Sequence, residues 1–215
     1  MIVPAQRIAL RPWSDDDLTL LQRLLGDPAM MTHLGGPESP QAIEARHQRY
    51  LHPDSAIGGL FAIAVSGERR DQSGDAGGSG TGSGPGEAVE AGRTVTDERV
   101  SPAAGRGEQR VGWVGYWETD WHGGGAWEAG WNVLPAYQGR GVATAATFLM
   151  LRRARDDARF RFVYAFPRTG NAASNALCRR LGFELLGIED VEYPPGCTSP
   201  SGIWRLDLST WRMHP

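Results

Sequence analysis

The sequence predicts one α/β domain in which a mixed sheet is covered by helices. Three observations point there. Strand-length apolar runs and capped helical stretches follow the order strand, two helices, three strands, helix, strand, helix, two strands. The run of three adjacent strands favours a mixed sheet over a fully parallel one. The 215-residue length suits a single ordinary core.

The elements follow in order. Ile8–Leu10 reads as a short strand. Ser14 and Asp17 form a capping-box-like start for a helix over 15–25, which Gly26 ends. Ser39 and Pro40 open a second helix over 40–51, with proline at its tolerated first position. Leu60–Val65 reads as a buried strand, and Val111–Glu118 and Ala126–Val133 as two more around the loop "TDWHGGG". A helix runs from Val142 to Arg155, and a strand from Phe160 to Phe166. Asn171 caps a last helix that stops at Gly182, and strands at 184–192 and 203–208 close the order.

One stretch breaks the pattern. Residues 66–110 hold 11 glycines and no aromatic residue. Too little apolar surface is available there to offset ordering entropy, so the stretch is expected to be a flexible insertion within the second–third strand hairpin of a single domain spanning 1–215.

Composition excludes several functions. No apolar run is long enough to span a bilayer, and the first residues, "MIVPAQRIALRPW", do not read as a secretory leader. Two cysteines make no disulfide framework and fit a reducing cytoplasm. A net charge of −3 argues against general nucleic-acid binding. The five histidines (His33, His47, His52, His122 and His214) lack metal-ligand spacing and read as surface groups, so no metal site is expected.

The stretch "LPAYQGRGVATAAT" carries the chemistry. The first amides of a helix lack internal partners, and the helix dipole makes that end attractive to anions. Glycine lets an anion approach the backbone, and arginine adds a forked cation. Gln138, Gly139, Arg140, Gly141, Val142 and Ala143 therefore read as a phosphate cradle. A Walker loop is excluded because the chain contains no lysine. A dinucleotide fingerprint fits poorly: Thr144 stands where a third glycine belongs, and the strand "RFVYAF" offers no acidic residue.

Gln138-x-x-Gly141-x-Ala143 resembles the Q/R-x-x-G-x-G/A motif of the GCN5-related N-acetyltransferases. "WEAGWNVLPAYQGRG" is similar to the strand and turn before that motif, and "GNAASNALCRRLGFE" to the segment after it. "LRPW" followed by an acidic helix resembles the start of the ribosomal-protein-acetylating branch. The likeness covers the chain outside 66–110.

The resemblance implies a central sheet of about six to seven strands, helices on both faces, and acetyl-coenzyme A between two splayed strands, here Ala126–Val133 and Phe160–Phe166. A bulge near Val133, Leu134 and Pro135 would aim backbone groups at the pantetheine arm. The amides from Gly139 to Thr144 would hold the pyrophosphate, and Asn171 and Ser174 would reach the pantetheine or acetyl end. Asn171 also has a plain reading as a helix cap.

Deprotonating the acceptor amine calls for a base, and Glu128 is the candidate; an exposed strand carboxylate is the alternative. Glu118 and Asp120 could instead attract a cation from a solvated loop. Where many relatives carry a proton-donating tyrosine this chain has Cys178, which reads better as a packed residue; water or Tyr164 could serve instead. Five of the eight tryptophans fall between 113 and 131, read first as packing, with Trp117 or Trp121 as possible walls of an acceptor pocket.

The expected activity is direct acetyl transfer to a primary amine, on a small molecule or a protein N-terminus, in a ternary complex. The expected protein is a monomer or homodimer. The alternative is a non-catalytic acyl-coenzyme A sensor.

Overall fold

A computed structural model describes residues 6–54, 56–67 and 107–212. Residues 68–106, most of the expected insertion, lie outside the described residues.

Among the described residues, seven strands form one sheet: β1 (Gln6–Pro12), β2 (Ile57–Gly67), β3 (Gln109–Trp121), β4 (Gly124–Val133), β5 (Phe162–Ala165), β6 (Glu184–Glu192) and β7 (Thr198–Asp207). Their spatial order is β1-β2-β3-β4-β5-β7-β6. All neighbours pair antiparallel except β4 and β5, which run parallel. The sheet is therefore mixed, as expected. Four helices cover it: α1 (Leu18–Leu25), α2 (Pro40–Leu51), α3 (Val142–Asp157) and α4 (Ala172–Arg180). Among the described residues, no helix is long and apolar enough to cross a membrane.

Strand alternation divides the core into two layers. Tyr116, Trp127, Ala129 and Val133 pack with α3 and α4 residues such as Ala146, Met150 and Leu177. Trp113 points the other way and packs with Leu21 and Leu24 of α1 and Ile43 of α2. Helices thus lie on both faces.

Several boundaries differ from those expected. The expected helix over 15–25 is a 3-10 turn, Asp15–Asp17, followed by α1. Asp17 is fully buried there. Its Oδ2 accepts from the Ser14 backbone N–H at 2.8 Å and also pairs with the guanidinium of Arg110. That ion pair is unforeseen from sequence. Gln109 and Arg110 belong to β3, and Ser66 and Gly67 to β2, so these four residues are strand rather than part of a flexible insertion. His47 is not a surface group either. It lies one helical turn from Ile43 on the inward face of α2, and its Nδ1 accepts from Trp13 Nε1 at 3.1 Å.

Candidate functional site

The site grows from the parallel seam. β4 and β5 pair over only two rungs, Trp127 with Val163 and Glu128 with Tyr164. After Glu128, β4 runs on for five residues without a β5 partner, so the strands fork. The splay that the resemblance implies is present, but its cause differs. No bulge interrupts β4, whose register with β3 is continuous from Gly124 to Val133. The brevity of β5 opens the fork instead.

The lip of the fork has a defined polarity. Leu134 N–H donates to Val111 O at 2.8 Å, on the β3 side. Alternation then turns the N–H and C=O of Val133 and Trp131 toward the opening. Val133 O accepts from Gln138 Nε2 at 2.8 Å, which ties the following loop back to the strand end. Leu134 therefore offers no free amide, and Pro135 has none to offer; the backbone groups that face the opening are those of Trp131 and Val133. Gln138 acts as a brace.

The loop then turns into α3. Gly139 and Gly141 have φ of 68° and 73°, a region that side chains disfavour, so both glycines are required by the turn itself. Ala145 N–H, bonded to Gly141 O at 3.0 Å, makes the first helical bond. Among the described residues, no amide from Gly139 to Thr144 makes a close, well-aligned bond to a backbone oxygen, although residues 138–141 form a hydrogen-bonded turn. Val142 is buried, which leaves its side chain in the core and its amide at the helix mouth; Ala143 and Thr144 are half-buried. Exposed Arg140 lies with its guanidinium 5.9 Å from the centre of the Tyr137 ring. A second cation joins the mouth: Arg180, at the end of α4, reaches Thr144 Oγ1 at 3.3 Å. Nothing in the spacing of a residue 36 positions away marks it; only the packing of α4 beside α3 brings it there.

The α4 end of the fork is tied down. Asn171 Oδ1 accepts from Ser174 N–H at 3.1 Å, so Asn171 is an N-cap. Ser174 Oγ accepts from Trp131 Nε1 at 3.2 Å, linking α4 to the lip of β4. Asn175, which sequence reasoning missed, holds this corner. Its Nδ2 donates to the carbonyls of Arg168 and Asn171 at 2.9 and 2.8 Å, and its Oδ1 accepts from Trp204 Nε1 at 2.8 Å.

Glu128 stands on the last rung before the fork, on the face of the sheet shared with Trp117 and Tyr164. Burial pushes its carboxyl up to about 6, and hydrogen bonds from Trp117 and Thr119 only partly oppose this. Trp121 lies 4.6 Å from Phe166 and 6.1 Å from Tyr164, ring centre to ring centre. Other candidates fall away from the fork. Cys178 is fully buried in the core, which pushes its thiol up to about 12; it is a packing residue. Asp120 caps the hairpin turn through Gly123 N–H at 2.8 Å, and Glu118 pairs opposite Trp127 on the other face. Among the described residues, no group of His, Cys, Asp and Glu could hold a metal ion.

Known proteins share this fold. The family model of the GNAT acetyltransferase domain matches residues 7–184. The fold is similar to an acetyltransferase of the GNAT family from Bacillus anthracis, at 14% identity and a TM-score of 0.62, covering 97% of this chain and 99% of that one. It is also similar to spermidine N-acetyltransferase from Vibrio cholerae in complex with CoA and spermine, at 15% identity and a TM-score of 0.63, covering 95% and 97%. A third similar structure is RimL, a ribosomal-protein α-N-acetyltransferase in complex with coenzyme A, at 16% identity and a TM-score of 0.59, covering 93% of each chain.

Proposed function

Because the chain belongs to the GNAT acetyltransferase family, we propose that it transfers the acetyl group of acetyl-coenzyme A directly to a primary amine bound beside Glu128. The observation that carries this reading is the fork. A carboxylate with a raised pKa sits at its apex, and the open edge of β4 leads from there to a helix mouth whose amides make no close, well-aligned backbone bond.

The amides at Gly139 to Thr144, with Arg140 and Arg180, hold the pyrophosphate. The N–H groups of Trp131 and Val133 hold the pantetheine arm and polarise the thioester carbonyl. The amine nitrogen attacks that carbonyl, the C–S bond breaks, and the amine proton passes to Glu128 directly or through a water. The thiolate takes up a proton from solvent or from the hydroxyl of Tyr164, which lies opposite Glu128 on the fork. An acyl-coenzyme A sensor would bind the cofactor without releasing thiol in the presence of an amine.

Calorimetric titration with acetyl-coenzyme A, with ATP and NAD as controls, tests the cradle. Saturable binding of acetyl-coenzyme A alone supports it. No binding at millimolar ligand removes the reading, mechanism included. Thiol release with an amine panel then tests transfer.

A further inference from the structure

Resting on the acetyl-transfer reading above, we infer that the acceptor is a small amine with one ammonium group on an aromatic body, and that Trp121, Tyr164 and Phe166 form the wall that selects it. A polyamine or an amino-sugar is the wrong shape and charge for this face.

The first argument is charge. On this face of the sheet, among the described strand residues from β3 to β7, every carboxylate other than Glu128 and Glu189 is held by an arginine, and Glu189 lies toward the hairpin tip beside His122, which balances it only when protonated. Glu184 pairs with Arg205 at 2.8 Å, Asp207 with Arg161 at 2.5 Å, and Glu189 faces His122 at 3.5 Å. Glu128 receives only the neutral donors Trp117 and Thr119. At the apex, one uncompensated carboxylate accommodates one ammonium. A second or third ammonium on the same molecule finds no other unpaired carboxylate on that rung, where Glu184 is already held by Arg205.

The second argument is the wall. Trp121, Tyr164 and Phe166 are half-buried, so their rings are neither lost in the core nor fully solvated. Tyr164 and Phe166 are nearly parallel, at 9° and 6.1 Å, and Trp121 leans on both. Aromatic faces attract a cation and stack on a flat apolar body. On the β4 side, Gly130 makes room for the Trp117 ring to lie over the strand: a Cβ there would lie 2.6 Å from Trp117 Cη2. Tyr164 stands directly opposite Glu128 on the last rung, so the wall borders the carboxylate.

The test compares kcat/KM for thiol release from acetyl-coenzyme A with phenethylamine, spermidine, kanamycin and a short peptide with a free N-terminus. Phenethylamine is expected to be best by at least about tenfold. Trp121→Leu is expected to raise its KM about tenfold with kcat nearly unchanged, and Trp121→Tyr to restore the KM. Intrinsic fluorescence adds a readout independent of turnover: phenethylamine should shift the emission of the wild-type protein but not of Trp121→Leu, and 2-phenylethanol, which lacks the ammonium, should shift neither. Preference for spermidine, kanamycin or the peptide, or an unchanged KM in Trp121→Leu with its melting curve intact, overturns the assignment while leaving acetyl transfer standing. No thiol release with any amine overturns the transfer reading as well.

Discussion

Replacing Glu128 with glutamine separates the two consequences of its burial. The carboxyl is raised from its ordinary 4.5 to about 6 because the fork removes water from it. That shift is worth about 2 kcal/mol of preference for the neutral form. The sign follows from proton linkage. Below pH 4.5 the group is neutral in folded and unfolded chains alike and there is no penalty. Between 4.5 and 6 the unfolded chain ionises first, and above 6 the folded protein carries the full cost of the buried charge. Glutamine mimics the neutral form, so Glu128→Gln is expected to be more stable at pH 8 by up to about 2 kcal/mol, or roughly 4–8 °C in Tm. The gain should vanish at pH 4. Activity is expected to move the opposite way. Loss of a general base lowers kcat/KM on the order of 100-fold or more at pH 8. The wild-type profile should show an acid limb with an apparent pKa near 6, which the variant lacks. Thiol-release rates from pH 5 to 9 and melting curves at pH 4 and 8 check both. A variant that keeps the acid limb, or melts lower than wild type at pH 8, refutes the assignment of Glu128 as a buried base.

Three further outcomes are expected. Gly141→Ala forces a side chain into a left-handed residue (φ 73°) at the start of α3. The cost is roughly 1–2 kcal/mol by thermal melting, and acetyl-coenzyme A affinity by calorimetry should fall with the displaced amides. Arg180→Met removes the second cation at the helix mouth; acetyl-coenzyme A binding should weaken about fivefold, with a steeper loss at low salt, and kcat at saturating cofactor should hold. Arg110→Met leaves the buried Asp17 carboxylate without its cation. It is expected to cost about 3 kcal/mol, read as a Tm lowered by roughly 6–12 °C.

The sequence by itself determined the element order, the mixed sheet and the helix mouth. These follow from local causes: strand and helix periodicity, caps at Ser39 and Asn171, and two glycines whose positive φ the turn at 139–141 demands. Only the tertiary structure decided what lies across from what. Arg180 beside Thr144, Trp131 on Ser174 and Arg110 on Asp17 join residues 36, 43 and 93 positions apart, and nothing local encodes such pairs. The bulge expected near Val133 belongs to the same class. An open lip on β4 could come from an extra residue in the strand or from a neighbour that stops early. Composition does not distinguish them, and the four-residue length of β5 made the choice. Glu128 lies between the two regimes: alternation chose its face, but its rise toward pH 6 depends on how much water Trp117, Tyr164 and the fork leave around it. Burial is a property of the whole packed sheet, and so the chemistry of this carboxylate was settled only when the strands were assembled.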